Sequence, residues 1–128
     1  MSSLDISASG LSAQRRRLEV IARNLANAET TRTPEGGPYR RQMVVFTEAL
    51  DQAGVQVAEV VDDPTPGKQI YEPGHPDANP QGYVTMPNVS VMTEMVDMIG
   101  ATRSYEANVT ALNATKSMIR KALELGRG

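Results

Sequence analysis

The sequence predicts an α+β protein, mainly α, in which long N- and C-terminal helices pair as a coiled coil and a small β and loop segment lies between them. Two observations carry this reading. Leu4, Leu11, Leu18 and Leu25 recur every seven residues, with Ile21 and Ala28 interleaved, and Val91, Met98, Tyr105, Leu112 and Ile119 form a second such series. A seven-residue apolar repeat is a seam that needs another helix. Between the seams lie all eight prolines, which break regular structure.

The first helix is expected over residues 4–28. Ser2, Ser3, Ser7, Ser9 and Gly10 weaken its start, because an interior glycine costs about 1 kcal/mol in a helix. Asn24, Asn27 and the run Thr30-Thr31-Arg32-Thr33-Pro34 should end it, since proline disfavours helix in the residue before it. In isolation such a helix is marginal, so both termini are expected to order fully only when neighbouring chains cover them.

The middle, residues 29–88, reads as a small antiparallel β element with long loops. Strand-like runs cover Tyr39 to Thr47, Val55 to Val61, Lys68 to Tyr71 and Tyr83 to Met86. Gly36-Gly37 precedes Pro38 and no helix, so it reads as a turn and not a phosphate cradle. The runs 64–67 and 73–80 are proline turns.

The second helix is expected over residues 89–125. Asn88 or Ser90 can cap it, Glu94 suits the positive end of the helix dipole, and Gly126 should stop it. Met95, Val109 and Leu123 interleave with its seam, and Thr102 and Lys116 are polar gaps. A helix of this length, about 54 Å, exceeds the roughly 35 Å diameter of a compact chain of this size. It must therefore project, and an elongated subunit follows. Ala107 to Thr115 carries no charge, and the face opposite the seam is small, with Gly100, Ser104, Ala107, Asn108, Ala111 and Thr115. Such a helix should be surrounded by protein or line a polar channel. The expected organisation is residues 1–30 and 89–128 forming one helical unit, with 31–88 as the middle segment.

Composition excludes much chemistry. The 128 residues contain no cysteine, so disulfides and thiolate sites are ruled out. The net charge of −2 gives no general attraction to nucleic acid. Arg15 to Arg17 and the Arg40-Arg41 pair read as solvated patches or as contacts to acidic neighbours. His75, beside Glu72 and Asp77, supplies too few ligands for a metal site and reads as a structural turn. Asp62-Asp63 and Asp5/Glu19 form no readable acid-base pair. The methionines at 92, 95 and 98 read as core filler, and the three Asn-x-Ser/Thr triplets at Asn88, Asn108 and Asn113 as helix polarity. No enzyme activity, cofactor or metal is expected. No run is apolar enough to span a membrane, and Met1 to Gln14 lacks the basic and apolar regions of a cleavable secretion signal.

The end of the first helix runs Ile21-Ala22-Arg23-Asn24-Leu25-Ala26-Asn27-Ala28-Glu29-Thr30-Thr31. It resembles the N-terminal signature of the bacterial flagellar axial proteins (rod, hook and hook-associated), close to N-N-I-A-N-x-x-T, with Arg23 at the first Asn and Leu25 at the Ile. The stretch 105–113 is similar to the family's matching C-terminal helix. Residues 4–11, 31–41, 71–79 and 86–89 are most similar to its proximal-rod members. The resemblance implies a structural subunit of the flagellar basal-body rod in the periplasm, exported by the flagellar type III apparatus without signal cleavage. It implies stacking with copies of itself and other rod proteins around the export channel, to transmit torque. The residues expected at that assembly interface are Leu11, Leu18, Ile21, Asn24, Leu25, Asn27, Tyr105, Asn108, Val109, Leu112 and Ile119, and the uncharged stretch of the second helix is expected to face the channel. Without the resemblance, the residues alone leave open a stand-alone adaptor that binds a partner helix.

Overall fold

The chain folds as two antiparallel helices with two small β ribbons inserted between them. This is a computed structural model that describes residues 3–48 and 55–127. The elements in order are α1 (Ser3–Ala26), β1 (Gln42–Glu48), β2 (Val55–Asp62), β3 (Gln69–Tyr71), β4 (Tyr83–Thr85) and α2 (Val91–Arg127). The side chain of Leu4, first of its series, lies outside the described residues.

α1 is closed by Asn27, the residue after its end, whose backbone N–H and side-chain amide both donate to the Arg23 carbonyl, at 3.1 and 2.9 Å. The Thr33 hydroxyl then closes the Gly36-Gly37 turn by donating to both glycine carbonyls. β1 and β2 pair antiparallel, from Gln42 opposite Asp62 to Glu48 opposite Val55. The register shifts between Val45 and Phe46, leaving Ala58 unmatched in a one-residue bulge. β3 and β4 form a separate ribbon, with Tyr71 edge-on to Tyr83 at 5.3 Å. One β element was expected; there are two, because Pro64 and Pro66 remove the backbone donors that would continue β2 into β3.

The buried apolar core is Ala13, Val20, Ile21, Val84 and Ala101. Most of it lies where α1 meets α2, and α1 also packs on β1 and β2. Gly10 lies against Asn108 and Asn24 bonds to Glu94, which fixes the helices as antiparallel. With 24 residues against 37, α1 covers only part of α2. Residues 116–127 of α2 are exposed throughout, an overhang of about 18 Å at 1.5 Å per residue.

Two expectations about α2 are corrected. Gly126 lies inside the last turn, which runs to Arg127; helix ends vary by this much. The stripe turned to α1 is Glu94, Met98, Ala101, Tyr105, Asn108, Leu112 and Thr115, and it mixes one apolar series with the small polar face. Met95, Thr102 and Leu123 point outward. Small residues let two helices approach closely where bulky ones would hold them apart, so Ala101 is fully buried while Met95 is 55% exposed.

Candidate functional site

At the end of the helix pair where the chain leaves α1 and enters α2, polar side chains gather that sequence periodicity does not connect. Asn24 on α1 is 1% exposed, and Glu94 in the first turn of α2 is 0% exposed. The Asn24 side-chain amide makes all four hydrogen bonds open to it. Its oxygen accepts from the Gln42 N–H at 3.0 Å and from the Tyr39 hydroxyl at 2.7 Å. Its nitrogen donates to the Gln42 carbonyl at 2.9 Å and to Glu94 Oε2 at 3.2 Å. An α1 side chain thus pairs with the backbone of β1 as a neighbouring strand would.

Glu94 Oε1 accepts from Arg41 Nε. The same guanidinium reaches Asp63 at 3.1 Å and Asp97 at 3.7 Å. Burial pulls Arg41 down, but the bonds and charges of Glu94 and Asp63 outweigh this and hold it above its ordinary value. Burial pushes the Tyr39 phenol up; Arg23 opposes the rise, and Glu94 and Asp62 add to it. Asn88 accepts from the Arg41 N–H at 2.7 Å and donates to the Asp63 and Thr65 carbonyls. It is therefore a tie between segments, and Ser90 caps α2, accepting from the Thr93 N–H at 3.4 Å.

A second, exposed clamp holds the β3–β4 ribbon. Asp77 accepts from the Thr31 hydroxyl at 2.7 Å and from Arg32 Nε at 2.8 Å. His75 serves this turn, its Nδ1 accepting from the Asp77 N–H at 3.0 Å. The Thr31 and Arg32 bonds hold Asp77 below the usual carboxylate range, and the Thr65 N–H and hydroxyl, with Arg41, do the same for Asp63. Depressed carboxylates stabilise the fold fully above their ordinary value of 3.8, and that contribution is lost as pH falls below it. Urea midpoints should stay level near neutrality and drop on the acid side, and Asp63→Asn should flatten the drop. An acid limb unchanged by that substitution would refute the assignment.

The expected interface residues divide by place. Ile21 and Asn24 are buried, and Leu11, Leu18, Leu25, Asn27, Tyr105, Asn108, Val109 and Leu112 are half-buried within the chain. Ile119 is 43% exposed on the overhang. Asn108 faces α1, and its Nδ2 donates to the Ser104 carbonyl at 2.9 Å. A Cβ on Gly10 would lie 2.7 Å from Asn108 Oδ1. Gly10→Ala is therefore expected to leave stability nearly unchanged. The helix gains about 1 kcal/mol and loses about 1 kcal/mol as Asn108 is driven off its bond. Adding Asn108→Ala should release the gain. Thermal denaturation of both single variants and the pair gives the coupling, and strict additivity would exclude the contact.

Glu94, Arg41, Gln42, Tyr39 and Asn88 were not among the expected site residues. Glu94 begins a seven-residue series with Ala101, Asn108 and Thr115. That spacing was the available signal, hidden because its members are polar or small. Among the described residues, no group of three or more His, Cys, Asp or Glu is placed to hold a metal, and no helix is long and apolar enough to cross a membrane.

Residues 4–32, which hold α1 from its second residue on, match the model of the family described as flagella basal body rod protein. Residues 81–125 match that described as flagellar basal body rod FlgEFG protein C-terminal. The flagellar basal-body rod protein FlgC of Yersinia enterocolitica is 50% identical over 127 residues, covering 96% of this chain and 95% of the relative. The chain belongs to the FlgC family of flagellar basal-body rod proteins. FlgC of Salmonella typhimurium is 51% identical over 96% of this chain and 95% of its own. FlgC of Bacillus subtilis is 46% identical over 98% and 97%. The two family matches hold Asn24 and Glu94, the halves of the buried contact, while Tyr39, Arg41, Gln42 and Asp63 lie between the matched segments.

Proposed function

We propose that the chain is a structural subunit of the proximal flagellar rod, that it works by geometry and catalyses nothing. Residues 1–30 and 89–128 form the helical unit, and 31–88 stand outside it. Copies of the chain and other rod proteins stack helically around the export channel, heterologous contacts extending the array where a closed dimer would end it. The subunit reaches the periplasm through the flagellar type III apparatus without signal cleavage, and the finished shaft carries torque.

The observation that carries this reading is the overhang of α2. Met118, Ile119, Leu123 and Leu125 are 43–83% exposed there, and Ile119 continues the stripe that α1 covers further back. A lone subunit leaves this apolar surface in water, whereas a stacked one buries it. Quantitative mass spectrometry of purified basal bodies should find the chain in the rod fraction, and its deletion should remove the outer rod and hook. Absence from that fraction would overturn the reading.

Ile119→Asp separates folding from assembly. The side chain is 43% exposed on the overhang, so the free subunit should keep its stability within about 0.5 kcal/mol. Incorporation into rods should fall sharply in the same basal-body preparation. Normal rods built from this variant would remove the overhang from the interface.

A further inference from the structure

We propose that Asn24, Glu94 and Arg41 form a three-way latch, so that α1 docks on α2 and the β1–β2 hairpin seats on both in a single conformational step. The argument rests on who satisfies whom. Glu94 is a fully buried carboxylate with one partner on α1 and one at the start of β1. Asn24 is a fully buried amide with one partner on α2 and three from Tyr39 and the Gln42 backbone.

Lifting the hairpin alone deprives Asn24 of three of its four bonds and Glu94 of the one cation within hydrogen-bond distance among the described residues. Withdrawing α1 alone leaves Glu94 without its amide donor and the Gln42 N–H and carbonyl without their side-chain partner. Each half-open state thus strands buried polar groups, which is expensive. Only the fully closed and fully open states avoid this. Asn88 extends the latch to the end of β2, since it holds the Arg41 N–H together with the Asp63 and Thr65 carbonyls.

The hairpin's angle to the helix pair is therefore set by the docking of α1. A chain whose α1 is undocked also has a released hairpin, whatever neighbours it later meets. This goes beyond rod membership and does not depend on it.

Amide hydrogen exchange of the full chain under mild urea tests the coupling. Amides of residues 20–24 on α1 and of 43–46 and 60–61 in the hairpin should share one opening equilibrium and one urea dependence. Tyr39→Phe, which removes one bond to Asn24 and little else, should speed both sets by the same factor. The double variant Asn24→Leu with Glu94→Leu removes the Asn24 bonds that join α1 to the hairpin, and should break the link, with hairpin amides exchanging at least about tenfold faster than those of α1. Separate opening in the native chain overturns the latch. So does an unequal response to Tyr39→Phe, which can be read even where the double variant does not fold.

Discussion

Arg41→Ala is expected to destabilise the chain by about 3–4 kcal/mol, the range for removing one partner of a buried ion pair. Among the described residues the guanidinium is the one cation within hydrogen-bond distance of the fully buried Glu94, and it also serves Asp63 and Asp97. Its loss takes away the cation these three carboxylates share. Because Arg41 itself keeps 21% side-chain exposure, water entering the vacated space softens the loss, and the lower end of the range is expected. In a chain of this size that lowers the melting temperature by roughly 10 °C. Arg41→Lys keeps the charge but cannot reach both Glu94 and Asp63 with a planar fork, so it should recover only part of the loss. Calorimetry that found Arg41→Ala within 1 kcal/mol of the native chain, taking about 1 kcal/mol as the worth of an exposed pair, would mean that Glu94 has another partner.

Gly67→Ala should do damage of similar size by a different route. A Cβ at this position would stand 1.9 Å from the Met86 carbonyl oxygen and 3.1 Å from its carbon. Those are backbone atoms and cannot rotate away. The chain at 86–87 must move, and with it the 2.7 Å bond from the Met86 N–H to the Lys68 carbonyl that leads into the β3–β4 ribbon. The cost is about 3 kcal/mol, the upper end for an overfilled site. Asn88 lies just beyond, so Arg41 and Asp63 should register the displacement as well. Backbone amide shifts in Gly67→Ala should spread from 67 and 86 to 88, 41 and 63. Shifts confined to the 64–68 loop would show that the neighbouring backbone yields more freely than the packing implies.

The helices were legible because their signal is repetitive: each seven-residue apolar series marks its element several times over, and the observed bounds fall within two residues of those expected. The strands were found from β-branched runs between prolines. The first begins three residues later than expected, at Gln42, because Tyr39 and Arg41 spend their N–H groups on Thr30 and Asn88 outside the ladder. The latch was not legible. Glu94 and Asn24 are 70 residues apart, and a polar residue at a seam position scores as an outward face in any hydropathy reading. Glu94 therefore passed for a helix-dipole residue and Gly10 for a weak point in α1, while for Arg41 contacts to acidic neighbours were one of two readings, with the neighbours, Glu94, Asp63 and Asp97, left unnamed. Each owes its role to a neighbour that only the fold supplies.

In mechanical terms, α2 is a beam built in at one end. Glu94 and Ala101 grip it near its start and Asn108 near its middle, and past residue 115 every described residue is exposed. The sideways deflection of a free end grows with the cube of its unsupported length. A neighbour seated on the last roughly 18 Å would therefore shorten that length to almost nothing, and the stiffness gained would far exceed the share of surface it covers.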